Sequence, residues 1–367
     1  MASDAVFSDE PTRLRNIIVR LFGGQADAFA PPTAFDHGRV ELIAGADAQD
    51  DCAVFRLSGD LELVVGSDYV RGPKFRLYEM GHLNEYDLGY YLVVANVSDI
   101  AAMGARPIGV LSVVRYPPNM SDAVFSHVMT GIRDACASFG CLNIGGDIGS
   151  AERLILSASA LGVCPPGRSL LRAGARPGDA VCLTAPTGLA GAAMAYSRAG
   201  IRDAEIESSY LDAMLASWRR PTARVAEGVI LSSSGAVTSC QDTSDGLKAT
   251  LESIAAASGV GITVEERSVP IPEAVGAVAS RVGADPLALV MGDSVDFELV
   301  FTVPEPAVAP LTDLLDFHRI GLVTEERSVA LLRSDGNLTA LPGQAWRHAP
   351  EDPGTARRET NDGQGRG

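Results

Sequence analysis

Apolar and polar residues alternate along most of the chain in two rhythms. Runs rich in β-branched and apolar residues, closed by glycine, predict strands over 52–57, 61–67, 108–115, 153–163, 180–184, 237–241, 261–264 and 297–303. A further strand is expected to end at Gly145-Gly146-Asp147. Helical spacing predicts helices over 12–22, 86–103, 121–139, 189–199, 205–217, 222–231 and 272–282, and one beginning at Asp245. The first two strands flank Ser58-Gly59-Asp60, a hairpin turn signal, and Gly104 stops the long helix over 86–103. Strands and helices interleave throughout, so the class is α/β or α+β rather than a helical bundle.

Pro165-Pro166-Gly167 interrupts the pattern between two strand-rich regions and marks a domain boundary. The expected organisation is an N-terminal domain over 12–165 and a C-terminal domain over 166–349. Residues 1–11 and 350–367 lack apolar periodicity and are expected to be disordered. With 367 residues, 46% of them hydrophobic, the chain has material for two cores. No short-period repeat is visible.

The formal charge of -16 argues against nucleic acid or an anionic membrane as partner, because both are held chiefly through lysine and arginine. Phosphates could be bound only if cations mediate. No basic stretch followed by an apolar core opens the chain, and no segment is apolar for long enough to cross a bilayer, so a cytoplasmic location is expected. Cys52, Cys136, Cys141, Cys164, Cys182 and Cys240 form no Cys-x-x-Cys pair and no zinc pattern; they read as reduced core residues.

The helix around Tyr90–Met103 is apolar nearly all round, yet carries Asn96, Ser98 and Asp99. Asn96 and Asp99 stand three apart and share a face. An isolated carboxylate buried there would cost several kcal/mol unless it were paired or bound a metal. Ser98 and Asp99 could instead cap the start of a new helix. Other carboxylates recur at strand ends: Asp50 and Asp51, Asp68, Asp147, Asp242 and Asp245. Any one of them beside a glycine is an ordinary turn residue. Together they describe an all-oxygen cage suited to magnesium or manganese, with a polyphosphate as its natural second half. Glycines around Asp147 would let backbone amides approach phosphate oxygens. No Gly-x-x-x-x-Gly-Lys-Ser/Thr loop and no Gly-x-Gly-x-x-Gly opening a helix is present.

In this order along the chain, Asp50-Asp51-Cys52-Ala53, Asn96-Val97-Ser98-Asp99-Ile100-Ala101-Ala102-Met103-Gly104-Ala105, Gly145-Gly146-Asp147, the run 172–179, Arg220-Pro221-Thr222-Ala223-Arg224, Asp242-Thr243-Ser244-Asp245-Gly246-Leu247 and Asp296-Phe297-Glu298-Leu299 resemble the thiamine-monophosphate kinases. These belong to the aminoimidazole ribonucleotide synthetase-like superfamily. The resemblance implies that superfamily's two-domain fold and a homodimer pairing through the N-terminal sheets. It also implies ATP and Mg2+ as cofactors and phosphoryl transfer to a small molecule. Asp51, Ser67, Asp68, Asp99, Asp147, Asp242 and Asp245 would hold metal, with Asp99, Asp147 and Asp245 central to catalysis. Gly146, Asp147, Arg172 and Ser244 would contact ATP.

The acceptor end departs from the family pattern. Lys74 replaces a histidine, Val295 or Ser294 stands where a glutamate is expected, and Ala349 replaces an aromatic residue. Arg71, Lys74, Val295 and Asp296 are the candidate acceptor contacts, and the two cations favour an anionic acceptor other than thiamine phosphate, unless both are simply solvated loop residues. The alternatives are thiamine phosphate itself, an ATP-dependent synthetase or dehydratase of the same superfamily, and a catalytically silent nucleotide-binding protein.

Overall fold

The computed structural model describes residues 41–344, apart from 46–47, 58–59, 71–76, 203–204 and 293. The expected helix over 12–22, the turn residues Ser58 and Gly59, Arg71, Lys74, the 346–349 segment and both termini lie outside the described residues.

The first half is a six-stranded sheet in the order β1-β2-β3-β6-β4-β5. Its strands are β1 (Glu41–Ala44), β2 (Ala53–Arg56), β3 (Glu62–Tyr69), β4 (Arg106–Tyr116), β5 (Leu142–Ser150) and β6 (Ile155–Cys164). β2 and β3 form the expected antiparallel hairpin. β5 pairs with β4 in parallel at the sheet edge and runs on through Asp147 to Ser150 instead of ending there. Glycine does not break it because Gly146 lies against β4: a Cβ at that position would sit 1.7 Å from the Ser112 carbonyl oxygen.

Two helices cover one face of this sheet, α1 (Glu85–Ala102) and α2 (Asp122–Ser138). Asn84 caps α1: its side chain accepts the Asp87 N–H and the Asp87 carboxylate accepts the Asn84 N–H. The helix then continues unbroken through Ser98 and Asp99, so those residues are not caps of a new helix. Fourteen of its eighteen residues are buried. The all-round apolar character follows from its position, since α1 packs on the first sheet with one side and on the second half with the other.

The second half is a seven-stranded sheet in the order β13-β12-β9-β11-β7-β10-β8. Its strands are β7 (Asp179–Leu183), β8 (Ser239–Asp242), β9 (Gly261–Glu265), β10 (Leu299–Pro304), β11 (His318–Thr324), β12 (Val329–Leu332) and β13 (Leu338–Ala340). The helices are α3 (Leu189–Ala199), α4 (Ser208–Arg219), α5 (Val225–Ser234), α6 (Leu247–Ser258), α7 (Glu273–Val282), α8 (Pro286–Met291) and α9 (Glu305–Thr312). β1, α8, α9 and β11 to β13 have no counterpart in the expected elements. α6 begins two residues later than expected, with Gly246 at its N-cap.

The two halves are fastened by buried polar contacts as well as by the core. Glu62 is fully buried on β3 and accepts from Arg56 at 2.8 Å, the Gly167 N–H at 2.9 Å and the Ser169 hydroxyl at 2.8 Å. It thereby anchors the Pro165–Gly167 segment to the first sheet. All six cysteines are free and buried. Among the described residues, no helix is long and apolar enough to cross a membrane.

Candidate active site

Three carboxylates meet where α1 lies between the halves. Asp51, in the turn before β2, Asp99 on α1 and Asp242 at the end of β8 place ligand oxygens within 4.8 Å of one another. Each comes from a different element, and Asp242 comes from the opposite half to the other two. Gly66 on β3 admits them: a Cβ there would lie 3.7 Å from the Asp99 Cβ and only 2.6 Å from the Cys52 Sγ.

The group carries more negative charge than its surroundings compensate. Asp242 is 1% exposed, and burial, followed by the charge of Asp51, pushes its pKa up to about 7 against hydrogen bonds from Ser98 and Ser244. Asp50 is raised to about 6 by burial and by Asp51, opposed by the Arg172 N–H, which it accepts at 3.0 Å. Asp51 is raised by burial, with Asp245 adding to the shift and Arg172 opposing it. Arg172 donates to Asp51 Oδ1 at 2.6 Å. Burial works against its charged form, but Asp51 and Asp50 outweigh that and raise its pKa.

Two buried polar atoms here have no hydrogen-bond partner among the described residues, Asp51 Oδ2 and Arg172 Nε. A carboxylate oxygen in that condition calls for a cation and a guanidinium N–H for an anion. The donors are all oxygens, without cysteine or histidine, so the residues fit a magnesium or manganese ion.

The remaining candidates of the first half divide between the two faces of its sheet, while Ser244 and Asp245 follow β8 in the second half. Asp68 lies on the helix-covered face, where its backbone N–H donates to Asn96 Oδ1 at 2.9 Å, and Asn96 donates back to the Leu92 carbonyl. Asp245 lies close enough to Asp51 and Asp242 to raise both. Ser67, one residue before Asp68, points to the other face and donates to the Ala158 carbonyl at 2.7 Å. Asp147 shares that open face, through the register Ser67↔Ser159↔Leu111↔Gly145 and its exposed pair with Arg115 at 2.5 Å. Asp147 thus stands three strands from β3, and the expected single cage of all seven ligands is not formed within this chain. Its position in mid-strand also corrects the strand-end placement. Ser244, beside Asp245, donates to Asp242 Oδ1 at 2.8 Å. Gly146 adjoins Asp147 on the edge strand.

At the acceptor end, Val295 is buried in the main core cluster. Its apolar character therefore answers packing. Asp296 is half-buried and accepts the Gly188 N–H at 2.7 Å and the Ser294 hydroxyl at 2.6 Å, at the start of α3. Burial lifts its pKa to about 6.

Several residues gain roles that the sequence did not disclose. Arg224 grips Glu298 with two hydrogen bonds of 2.7 and 2.6 Å, and Thr184 donates to the same carboxylate at 2.7 Å. Both charged residues sit in motifs noted above, and an arginine and a glutamate embedded in apolar runs were the available signal.

The N-terminal domain model of the AIR synthase related proteins matches residues 49–164, and the C-terminal domain model matches 176–333. Fold and site together define a two-domain protein of that class. A thiamine-monophosphate kinase of Pyrococcus abyssi is 35% identical over 263 residues, 71% of this chain and 79% of that protein. The thiamine-monophosphate kinase of Escherichia coli (strain K12) is 31% identical over 317 residues, covering 84% and 92%. A solved structure described as AaThiL complexed with AMPPCP and TMP superposes with a TM-score of 0.71 at 25% identity, over 82% of this chain and 91% of the other. The chain belongs to the thiamine-monophosphate kinase family and is an ATP-dependent phosphotransferase that works with Mg2+. The two relatives that carry that name are matched over 79% and 92% of their length, and the expectation of another acceptor finds no support in them.

Proposed function

We propose that this chain transfers the γ-phosphoryl group of ATP to the phosphate of thiamine monophosphate, releasing ADP and thiamine diphosphate. The observation that carries the reading is the convergence of Asp51, Asp99 and Asp242 from both halves, beside Arg172. Asp51, Asp99 and Asp242, with Asp68 and Asp245, would hold the divalent ions. When bound, such ions neutralise the polyphosphate and fix donor and acceptor in one frame.

Arg172 would direct its unpartnered Nε–H at a phosphate oxygen, and Ser244 would lie alongside. Gly146, packed against β4, would meet a phosphate through the backbone of β5. The acceptor is already an anionic phosphate, so no side chain needs to remove a proton, and the protein's work is alignment and exclusion of water. Arg71, Lys74 and Asp296 are the residues we propose as acceptor contacts.

We also infer a homodimer. Leu142, Ile144 and Ile148 on the edge strand β5 are more than half exposed, and Ile108 and Leu111 on the neighbouring β4 and Ile155 on β6 are exposed as well. An apolar edge of this kind is covered by a second copy or else aggregates. Ser67 and Asp147 would then sit at the junction of two copies, which accounts for their distance from the carboxylate group. Light scattering on Ile144→Glu tests this: a monomer is expected, and an unchanged dimer would remove the inference. We propose a cytoplasmic location, which fractionation would check.

The activity test is to supply γ-labelled ATP and magnesium with thiamine phosphate alongside a panel of anionic metabolites. Label should appear in thiamine diphosphate. Label in a different metabolite, or ADP release without any labelled acceptor, would overturn the assignment.

A further inference from the structure

Ser98 is fully buried on α1 and sits next to Asp99, yet it is not a natural ligand for a metal there. A buried helical serine usually returns its hydroxyl proton to a carbonyl of its own preceding turn. Here the hydroxyl crosses between the halves and donates to Asp242 Oδ2 at 2.5 Å, over a separation of 144 residues. A hydroxyl has one proton, so this donation is made in place of the local one.

The other oxygen of Asp242 is held too. Ser244 donates to Oδ1 at 2.8 Å, while the Asp242 backbone is fixed by its pairing with Leu299 and by the Thr250 hydroxyl on its carbonyl at 2.9 Å. Two hydroxyls therefore set the rotation of one carboxylate about its side-chain torsions. With Ser98 removed, Ser244 on Oδ1 is the hydrogen-bond donor left to this carboxylate among the described residues.

We infer that Ser98 is a positioning residue: its hydroxyl holds Asp242 so that the carboxylate faces Asp51 and Asp99, and it thereby sets the affinity of the site for a divalent ion. The inference rests on the metal-site reading above. Two effects of the hydroxyl oppose one another. Its hydrogen bond draws charge from the carboxylate and by itself weakens a metal bond, whereas orientation strengthens it. Losses of such outer partners typically weaken metal binding by about 10–100-fold, so orientation is expected to win.

The test titrates Mn2+ alone, without nucleotide, into wild type, Ser98→Ala and the near-isosteric Ser98→Cys, by calorimetry and by the electron paramagnetic resonance signal of free Mn2+. Alanine should weaken binding by about 10–100-fold, and cysteine, a poorer donor than serine, should fall between. In turnover, the magnesium activation curve of Ser98→Ala should shift to higher concentration, with kcat recovered at saturation. Alanine removes one buried hydroxyl from a helix interior and is a good helix former, so the fold should hold. If it does not, Ser98→Cys decides the matter alone, by weakened or unweakened Mn2+ binding. Equal or tighter Mn2+ binding by a folded variant would overturn the role of Ser98. Wild type that takes up no Mn2+ would instead remove the metal site itself.

Discussion

Replacing Asp242 by asparagine should make the metal-free protein more stable while removing its response to magnesium. Asp242 is buried, with its pKa lifted from 3.8 to about 7. A raised carboxyl pKa means that the folded state holds the proton more tightly than the unfolded state. The resulting cost is absent below about pH 4, grows as pH rises through the window, and is complete above about pH 7. At about 1.4 kcal/mol per pKa unit, it reaches a ceiling of about 4 kcal/mol. Asparagine removes the charge, and the Ser98 and Ser244 hydroxyls can turn to match an amide. Allowing for weaker hydrogen bonds than a carboxylate makes, a net gain of about 1–3 kcal/mol remains at about pH 8. For a protein of this size each kcal/mol shifts Tm by about 2–4 °C. The assay is thermal unfolding in chelator and again with magnesium and ATP. Wild type should gain stability from magnesium and the variant should not. A variant that melts below wild type in chelator at about pH 8, while still responding to magnesium, would refute the reasoning.

Arg224→Met should leave the Glu298 carboxylate buried without its partner and cost about 3–5 kcal/mol of stability, read from denaturant unfolding; a change within about 1 kcal/mol would show the pair to be dispensable. Asp296 is raised to about 6 by burial, so its ionisation should lower stability as pH rises from about 4 to about 6, and Asp296→Asn should flatten that part of the stability profile. Gly146→Ala would drive a Cβ into the Ser112 carbonyl and require displacement of the edge strand, at a cost of about 1–3 kcal/mol in backbone strain. The ATP KM should rise with it, and an unchanged KM would show that β5 does not approach the nucleotide.

How far the sequence reached can be judged from single elements. The Ala53–Arg56 and Glu62–Tyr69 hairpin, the helix ending before Gly104 and the α3 helix were legible, because period, caps and turn glycines depend on near neighbours. β11 was not legible, since a bulged seven-residue strand with Gly321 in its middle lacks clean alternation, and its place is set by β7 and β9 on either side. Asp99 stood out by its apolar helix and Asp51 and Asp242 by their place at strand ends, and it was their recurrence as a set together with the family resemblance that made them metal candidates. Whether they meet depended on a helix passing between two sheets, and the sequence has no local record of that.

The division among the seven metal candidates was decided in the same way. Ser67 and Asp68 are adjacent in the chain, yet the pleat sends them to opposite faces, and the register then carries Asp147 to the side of Ser67. By itself the sequence determined the chemistry available: oxygen ligands, an arginine, glycines for close approach and a family pattern. Tertiary structure alone decided which of those groups share a volume, because burial, charge coupling and strand parity act between residues that sequence distance does not relate.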